Sequence, residues 1–170
     1  LDAQGNLVRA AAAIGGSAKS INRATDLLNA LMLQAGVEMV DPGFGRATFS
    51  QGGLEPLLFY TSFANAADPA FTWNERFTYS TDSFPEETTA MIFNYAYQIE
   101  SLKDKYPFLR VGVAPLPQPV ATERKVAYAN YWGFAVANSS VHPQDAWALI
   151  LKLAGDETSA NASPKAARTA

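Results

Sequence analysis

The sequence predicts an α/β or α+β domain in which helices flank a small mixed sheet. Three observations predict it. Apolar residues recur at helical spacing over residues 20–35 and 143–153, short runs rich in β-branched and aromatic residues lie between them, and turn-forming residues separate these segments. With 170 residues the chain is long enough to bury about 70% of its unfolded surface in one domain or one lobe. It contains no internal repeat.

Residues 20–35 place Ile21, Ala24, Leu28, Leu31, Met32 and Ala35 on one helical face, and Gly36 supplies the stop. A second helix is expected from an N-cap at Ser50 through Leu54, Leu57, Leu58 and Phe63 to about Asn65, with Pro56 tolerated in its first turn. Residues 66–83 have a loop-forming composition. Ser83-Phe84-Pro85-Glu86 has capping-box spacing and predicts a short helical turn ahead of a buried strand over residues 88–93. Residues 95–105 return to helix, ended by Tyr106-Pro107.

Residues 108–113 alternate as a strand, after which Pro115, Pro117 and Pro119 hold the chain extended and bar it from a central strand position. Residues 128–137 read as a further strand, in which Gly133 marks a bulge or a close backbone approach. In the last helix, residues 143–153, Ala146, Leu149, Ile150 and Leu153 share a face, Pro143 and Asp145 suit the first turn, and Trp147 reads as a packing residue. The division expected is one lobe over residues 1–155 and a frayed tail over 156–170, which is rich in Ala, Ser and Thr.

Charged residues make up 17% of the chain, below the ~25% usual for soluble proteins. The surface is therefore polar through amides and hydroxyls more than through ions. Thirteen Lys+Arg against sixteen Asp+Glu, without a basic block, argue against nucleic acid, anionic membrane and polyphosphate. The absence of Cys excludes thiol chemistry, disulfides and Cys-based zinc sites, and no cofactor or metal is expected. His142, the one histidine, sits in Ser140-Val141-His142-Pro143 and reads as an exposed turn residue at a helix entrance. No stretch has the length of a transmembrane span, and no signal peptide is recognisable at Leu1-Asp2-Ala3-Gln4.

Most chemical motifs reduce to structural ones. Adjacent Glu86 and Glu87 suit a helix start better than a glycosidase pair, whose carboxylates must flank one bond. Gly15-Gly16-Ser17 lacks the Lys-Ser/Thr of a P-loop and the third glycine of a dinucleotide turn, so it reads as a tight turn. Asp41-Pro42-Gly43 has too few acidic ligands for calcium. What remains is aromatic residues beside amides: Asn94-Tyr95-Ala96-Tyr97 at one predicted strand end, Asn130-Tyr131-Trp132-Gly133 within another, and Trp73-Asn74 in the loop. Sugars offer C–H faces for ring stacking and hydroxyls for amides, so these clusters suit a neutral polyhydroxylated ligand; the alternative is that the rings are core.

These segments also carry a family resemblance. Ala11-Ala12-Ala13-Ile14-Gly15-Gly16 with the following helix, Thr72-Trp73-Asn74, and Phe84 with Ala90-Met91-Ile92-Phe93-Asn94-Tyr95 come first in order. Val113-Ala114-Pro115-Leu116-Pro117, Tyr131-Trp132-Gly133-Phe134-Ala135-Val136 and the final helix with Ala146-Trp147 follow. As an ordered set this resembles the second half of family 1 extracellular solute-binding proteins, the sugar-binding subunits of bacterial ABC transporters.

The resemblance implies a type II periplasmic-binding-protein-like lobe, incomplete relative to the two-lobed family, with an N-terminal lobe expected to complete the ligand cleft. It implies an extracytoplasmic protein, in the periplasm or anchored at the cell surface, that binds a sugar and delivers it to permease subunits without chemistry on it. Carried over, Trp132 and Tyr131 stack on or flank the sugar, Asn130 and Asn94 bond its hydroxyls, and Gly133 allows close approach, with Tyr95, Tyr97 and Trp73 as further contacts. The sequence departs from the family at Glu87, where a glycine is usual, and in residues 160–170, where further helices are usual. A carbohydrate-active enzyme fragment and a protein-interaction module are the alternatives.

Overall fold

The computed structural model describes residue 2 and residues 6–120, 125–131 and 133–155, and its regular structure there is helical. The elements are α1 (Ala24–Gln34), α2 (Leu54–Ser62), α3 (Ser80–Ser83), α4 (Tyr97–Lys105) and α5 (Pro143–Gly155). The expected tail over residues 156–170 lies outside the described residues.

The expected first helix starts late. Residues 17–21 make turns, with the Ser20 and Ile21 amides donating to the Ser17 carbonyl, and Arg23 then adopts a left-handed conformation (φ 62°) that no α-helix can contain. α1 therefore begins at Ala24. Its end is as expected: Gly36 takes φ 76°, its N–H donates to the Leu33 carbonyl at 3.0 Å and the Val37 N–H to Met32 at 3.0 Å, the paired bonds of a Schellman stop. Buried Met32 and Val37 flank the stop.

α2 packs against α1. Its N-cap is Gly53, not Ser50, which is exposed, and Pro56 lies in the first turn as expected. The core formed around these helices consists of Ala10, Ala12, Ala13, Ile14, Ile21, Ala24, Leu27, Tyr60 and Trp73. Trp73 is wholly buried, stacked on Phe77 with ring centroids 5.0 Å apart, and its indole N–H donates to Ser20 Oγ at 3.2 Å. Gly16 lies beneath it. A Cβ on Gly16 would sit 2.6 Å from the indole, so the backbone there admits no side chain.

The small mixed sheet is not formed among the described residues, where the only ladder elements are isolated bridges, Ala10 with Thr89 (parallel) and Val40 with Ala47 (antiparallel). The reason is local. The Ala10 N–H donates to Thr88 O and the Ala90 N–H to Ala10 O, but the next amides, Ala11 and Ala12, donate to Thr72 Oγ1, which diverts the ladder to a side chain. Residues 108–113 leave a turn at residues 107–108, form no strand and are largely exposed, with Phe108 at 97%. Residues 125–131 and 133–137 form no strand either. There the Gln118 carboxamide stands in for a partner strand, donating to Val126 O and accepting from Val126 N–H, each at 2.9 Å.

The capping box at residues 83–86 does not form. Ser83 is the buried last residue of α3, and its carbonyl accepts from the Thr88 and Thr89 amides, while Glu86 accepts the Thr78 hydroxyl at 2.8 Å. Glu87 takes φ 59°, so the backbone keeps a glycine-type conformation with a glutamate in it. α4 and α5 match expectation in extent, and Lys103 and Lys105 suit the negative end of α4. α5, however, buries no residue, and Trp147 is 48% exposed instead of packed. His142 is exposed, with Nδ1 3.9 Å from Asp145.

Two stability predictions follow from these backbones. Gly16→Ala lowers unfolding free energy by about 1–3 kcal/mol, the cost of forcing an atom into a packed core, as read from urea denaturation. At Glu87 a glycine removes a left-handed penalty of about 1 kcal/mol and returns a similar amount as unfolded-state freedom, so Glu87→Gly leaves the midpoint nearly unchanged. Glu87→Val, β-branched at positive φ, lowers it by roughly 1–2 kcal/mol.

Candidate functional site

The left-handed turn at Arg23 aims the residues on either side of it towards the segment that enters α4. Asn22 is held first: its N–H donates to Ser80 Oγ at 2.8 Å and its carboxamide donates to the Tyr79 hydroxyl at 3.2 Å. The Asn94 carboxamide then donates to Asn22 Oδ1 at 3.1 Å and accepts the Tyr95 N–H at 2.9 Å. Asn94 is thus tied to Asn22, and Tyr95 to Asn94.

The tyrosines complete the cluster. The Tyr95 hydroxyl donates to Asp26 Oδ2 at 2.8 Å, and the Tyr95 and Tyr97 rings stack with centroids 6.1 Å apart and planes 19° apart. The Arg23 guanidinium lies 5.4 Å from the Tyr95 ring centroid, donates to the Tyr97 hydroxyl at 3.0 Å and sits 3.7 Å from Asp26 Oδ2. Beside these groups is an open cavity of about 220 Å³ lined by Asn22, Arg23, Asp26 and Tyr79 with small residues of the α1 entrance. Burial, then the bond to Asp26 and that residue's charge, push the Tyr95 phenol up to about 12. It stays protonated at neutral pH and acts as a donor.

The other predicted residues are placed differently. Asn130 and Gly133 are exposed, as is Tyr131 at 86%; a Cβ on Gly133 would meet nothing within 4 Å, so no close approach is present there. Trp132 lies outside the described residues. Trp73, being wholly buried, offers a ligand no surface.

The sequence reading missed Asn22, Arg23, Asp26 and Tyr79. Asn22-Arg23 directly before a strong amphipathic helix, with Asp26 in its first turn, was the available signal. Among the described residues no group of three His, Cys, Asp or Glu could hold a metal ion, and no helix is long and apolar enough to cross a membrane.

Tyr60, raised by burial to about 12, and Tyr95 both titrate above the ordinary phenol value of about 10. Above pH 10 the unfolded chain releases protons that the fold still holds. Their contribution to stability is therefore complete below about pH 10 and is lost as pH rises through about 12. Tyr95→Phe makes stability fall less steeply over that range, and Asp26→Asn moves the phenolate absorbance transition of Tyr95 to lower pH.

No curated protein and no solved structure matches the chain. The profile of one family does, over residues 5–160, and its description is bacterial extracellular solute-binding protein. That family has a periplasmic-binding-protein-like fold, is generally non-enzymatic, and supplies the substrate-binding components of transport systems. The match covers most of the sequence, and it includes α1 to α5 and the cluster around Arg23. The chain belongs to the bacterial extracellular solute-binding protein family.

Proposed function

We propose that this protein binds a neutral sugar or oligosaccharide in a cleft that a second lobe closes, and hands it to the permease subunits of an ABC transporter without altering it. The observation that carries this reading is the cavity of about 220 Å³ lined by Asn22, Arg23, Asp26 and Tyr79, to whose walls the Asn94 amide and the stacked Tyr95–Tyr97 pair are bonded through Asn22, Asp26 and Arg23. Ring faces suit sugar C–H surfaces, and amides suit hydroxyls. The volume falls below the roughly 300–1,000 Å³ of pockets that enclose drug-sized ligands, which fits one sugar ring held from one side.

In this reading Asn94, Tyr95 and Tyr97 form one wall, and Asn130, Tyr131, Trp132 and Gly133 come onto the ligand when the lobes close. Trp73 acts from beneath, through its bond to Ser20 just before Asn22. A second reading, a protein-interaction module, draws on α5, whose Trp147, Leu149 and Leu151 are uncovered.

The test is Trp fluorescence of the full-length protein titrated with glucose, galactose, xylose and maltose. Expected is a saturable change with at least one sugar, lost in Trp132→Ala, and an affinity loss of about 1–2 kcal/mol in Asn94→Ala. No response to any of them, with some other solute bound equally well by Trp132→Ala, overturns the carbohydrate assignment. A stoichiometric co-purifying polypeptide with no small-molecule response favours the second reading.

A further inference from the structure

Arg23 is conspicuous on two counts. It is a long-chain residue at φ 62°, a conformation that costs a non-glycine residue and that clusters at functional sites. Its side chain is also 38% exposed, and an ion pair at that exposure adds little to stability. The packing of the fold does not call for an arginine here. What the side chain does do is join Asp26, Tyr95 and Tyr97 at the cavity, while using one of its five N–H donors in a hydrogen bond.

Asp26 completes the arrangement. Its Oδ2 takes the Tyr95 hydroxyl and lies closest to the guanidinium, and its Oδ1 has no hydrogen-bond partner among the described residues. The pair carries no net charge, yet it presents free donors and a free acceptor side by side. That complements adjacent hydroxyls on a ligand, one accepting from the guanidinium fork and its neighbour donating to the carboxylate. A carboxylate in the same place would gain Arg23 only against repulsion from Asp26.

We propose that Arg23, balanced by Asp26 and braced across the Tyr95–Tyr97 stack, is the specificity-determining residue of this cavity and selects a neutral ligand with vicinal hydroxyls over its carboxylate analogue. The inference rests on the carbohydrate reading above and deepens it. Selectivity by this route combines attraction of the diol with exclusion of the acid, so its two halves fail separately under mutation.

The experiment is calorimetric titration of the full-length protein with glucose and galactose, and with glucuronate and galacturonate. Arg23→Gly deletes the side chain at a φ that glycine adopts freely, so its unfolding midpoint stays close to the wild-type value while affinity for the neutral sugar falls at least tenfold. Asp26→Asn removes the repulsion and raises the uronate-to-sugar affinity ratio at least fivefold. A purely structural role for either residue would not move that ratio in this direction. Neutral-sugar binding at wild-type affinity by Arg23→Gly, or an unchanged ratio in Asp26→Asn, overturns this inference alone. Failure of the wild-type protein to bind any of the four overturns the inference, and the carbohydrate reading falls with it when xylose and maltose draw no response either.

Discussion

The Trp73 indole lies over the bare backbone of Gly16, stacks on Phe77 and bonds Ser20, and through those contacts it fixes where three chain segments can run. An indole buries some 150–250 Å², so at about 25 cal/mol per Å² its removal from water contributes about 4–6 kcal/mol. Its neighbour Thr72 extends the constraint, since the same short segment accepts the Ala11 and Ala12 amides on a hydroxyl and donates its own two amides to Phe63 O. Ser20 held by Trp73 also accepts the Ser80 N–H at its carbonyl, and Ser80 Oγ in turn holds Asn22. The core thus reaches the cluster at Arg23 by a continuous run of bonds only a few residues long.

Elements set by local rules were legible in the sequence, and those set by distant partners were not. The Gly36 stop of α1, the first turn of α5 and the Tyr106-Pro107 end of α4 each depend on residues within one or two turns of one another, whereas the buried face of α1 is turned from the expected one, with Leu27, Ala30 and Gln34 buried and Ala35 exposed. The strands depended on distant partners that are not in place: the Ala11 and Ala12 amides go to Thr72, residues 108–113 are largely exposed with no neighbouring strand among the described residues, and just ahead of residue 128 Val126 pairs with the Gln118 carboxamide. Trp73 was misread for a related reason. An aromatic in a loop-like segment offers the same signal whether it faces a cleft or a core, and only the absence of a Cβ on Gly16 decides which. At the site, the aromatic-amide pattern led to Asn94, Tyr95 and Tyr97, whereas Arg23 and Asp26 are ordinary in spacing and acquire meaning only from a left-handed turn that the sequence does not announce.

Tyr95 and Arg23, which meet at the cluster, each keep one protonation state at neutral pH. Tyr95 is held neutral by burial and by Asp26, and Arg23 is always charged. Such a surface recognises by directional hydrogen bonding and shape. This agrees with a chain in which only 17% of residues are charged, and with membership of a family of bacterial extracellular solute-binding proteins.

α5 adds a different consequence. Thirteen residues is a marginal length for a helix standing alone in water, and this one gains no burial from the rest of the described chain. Trp147, Leu149 and Leu151 stand exposed on it, so any contact that covers them adds burial that the helix lacks. For this segment, then, helix formation and any such contact are thermodynamically linked, and covering that face would raise the helix content of residues 143–155.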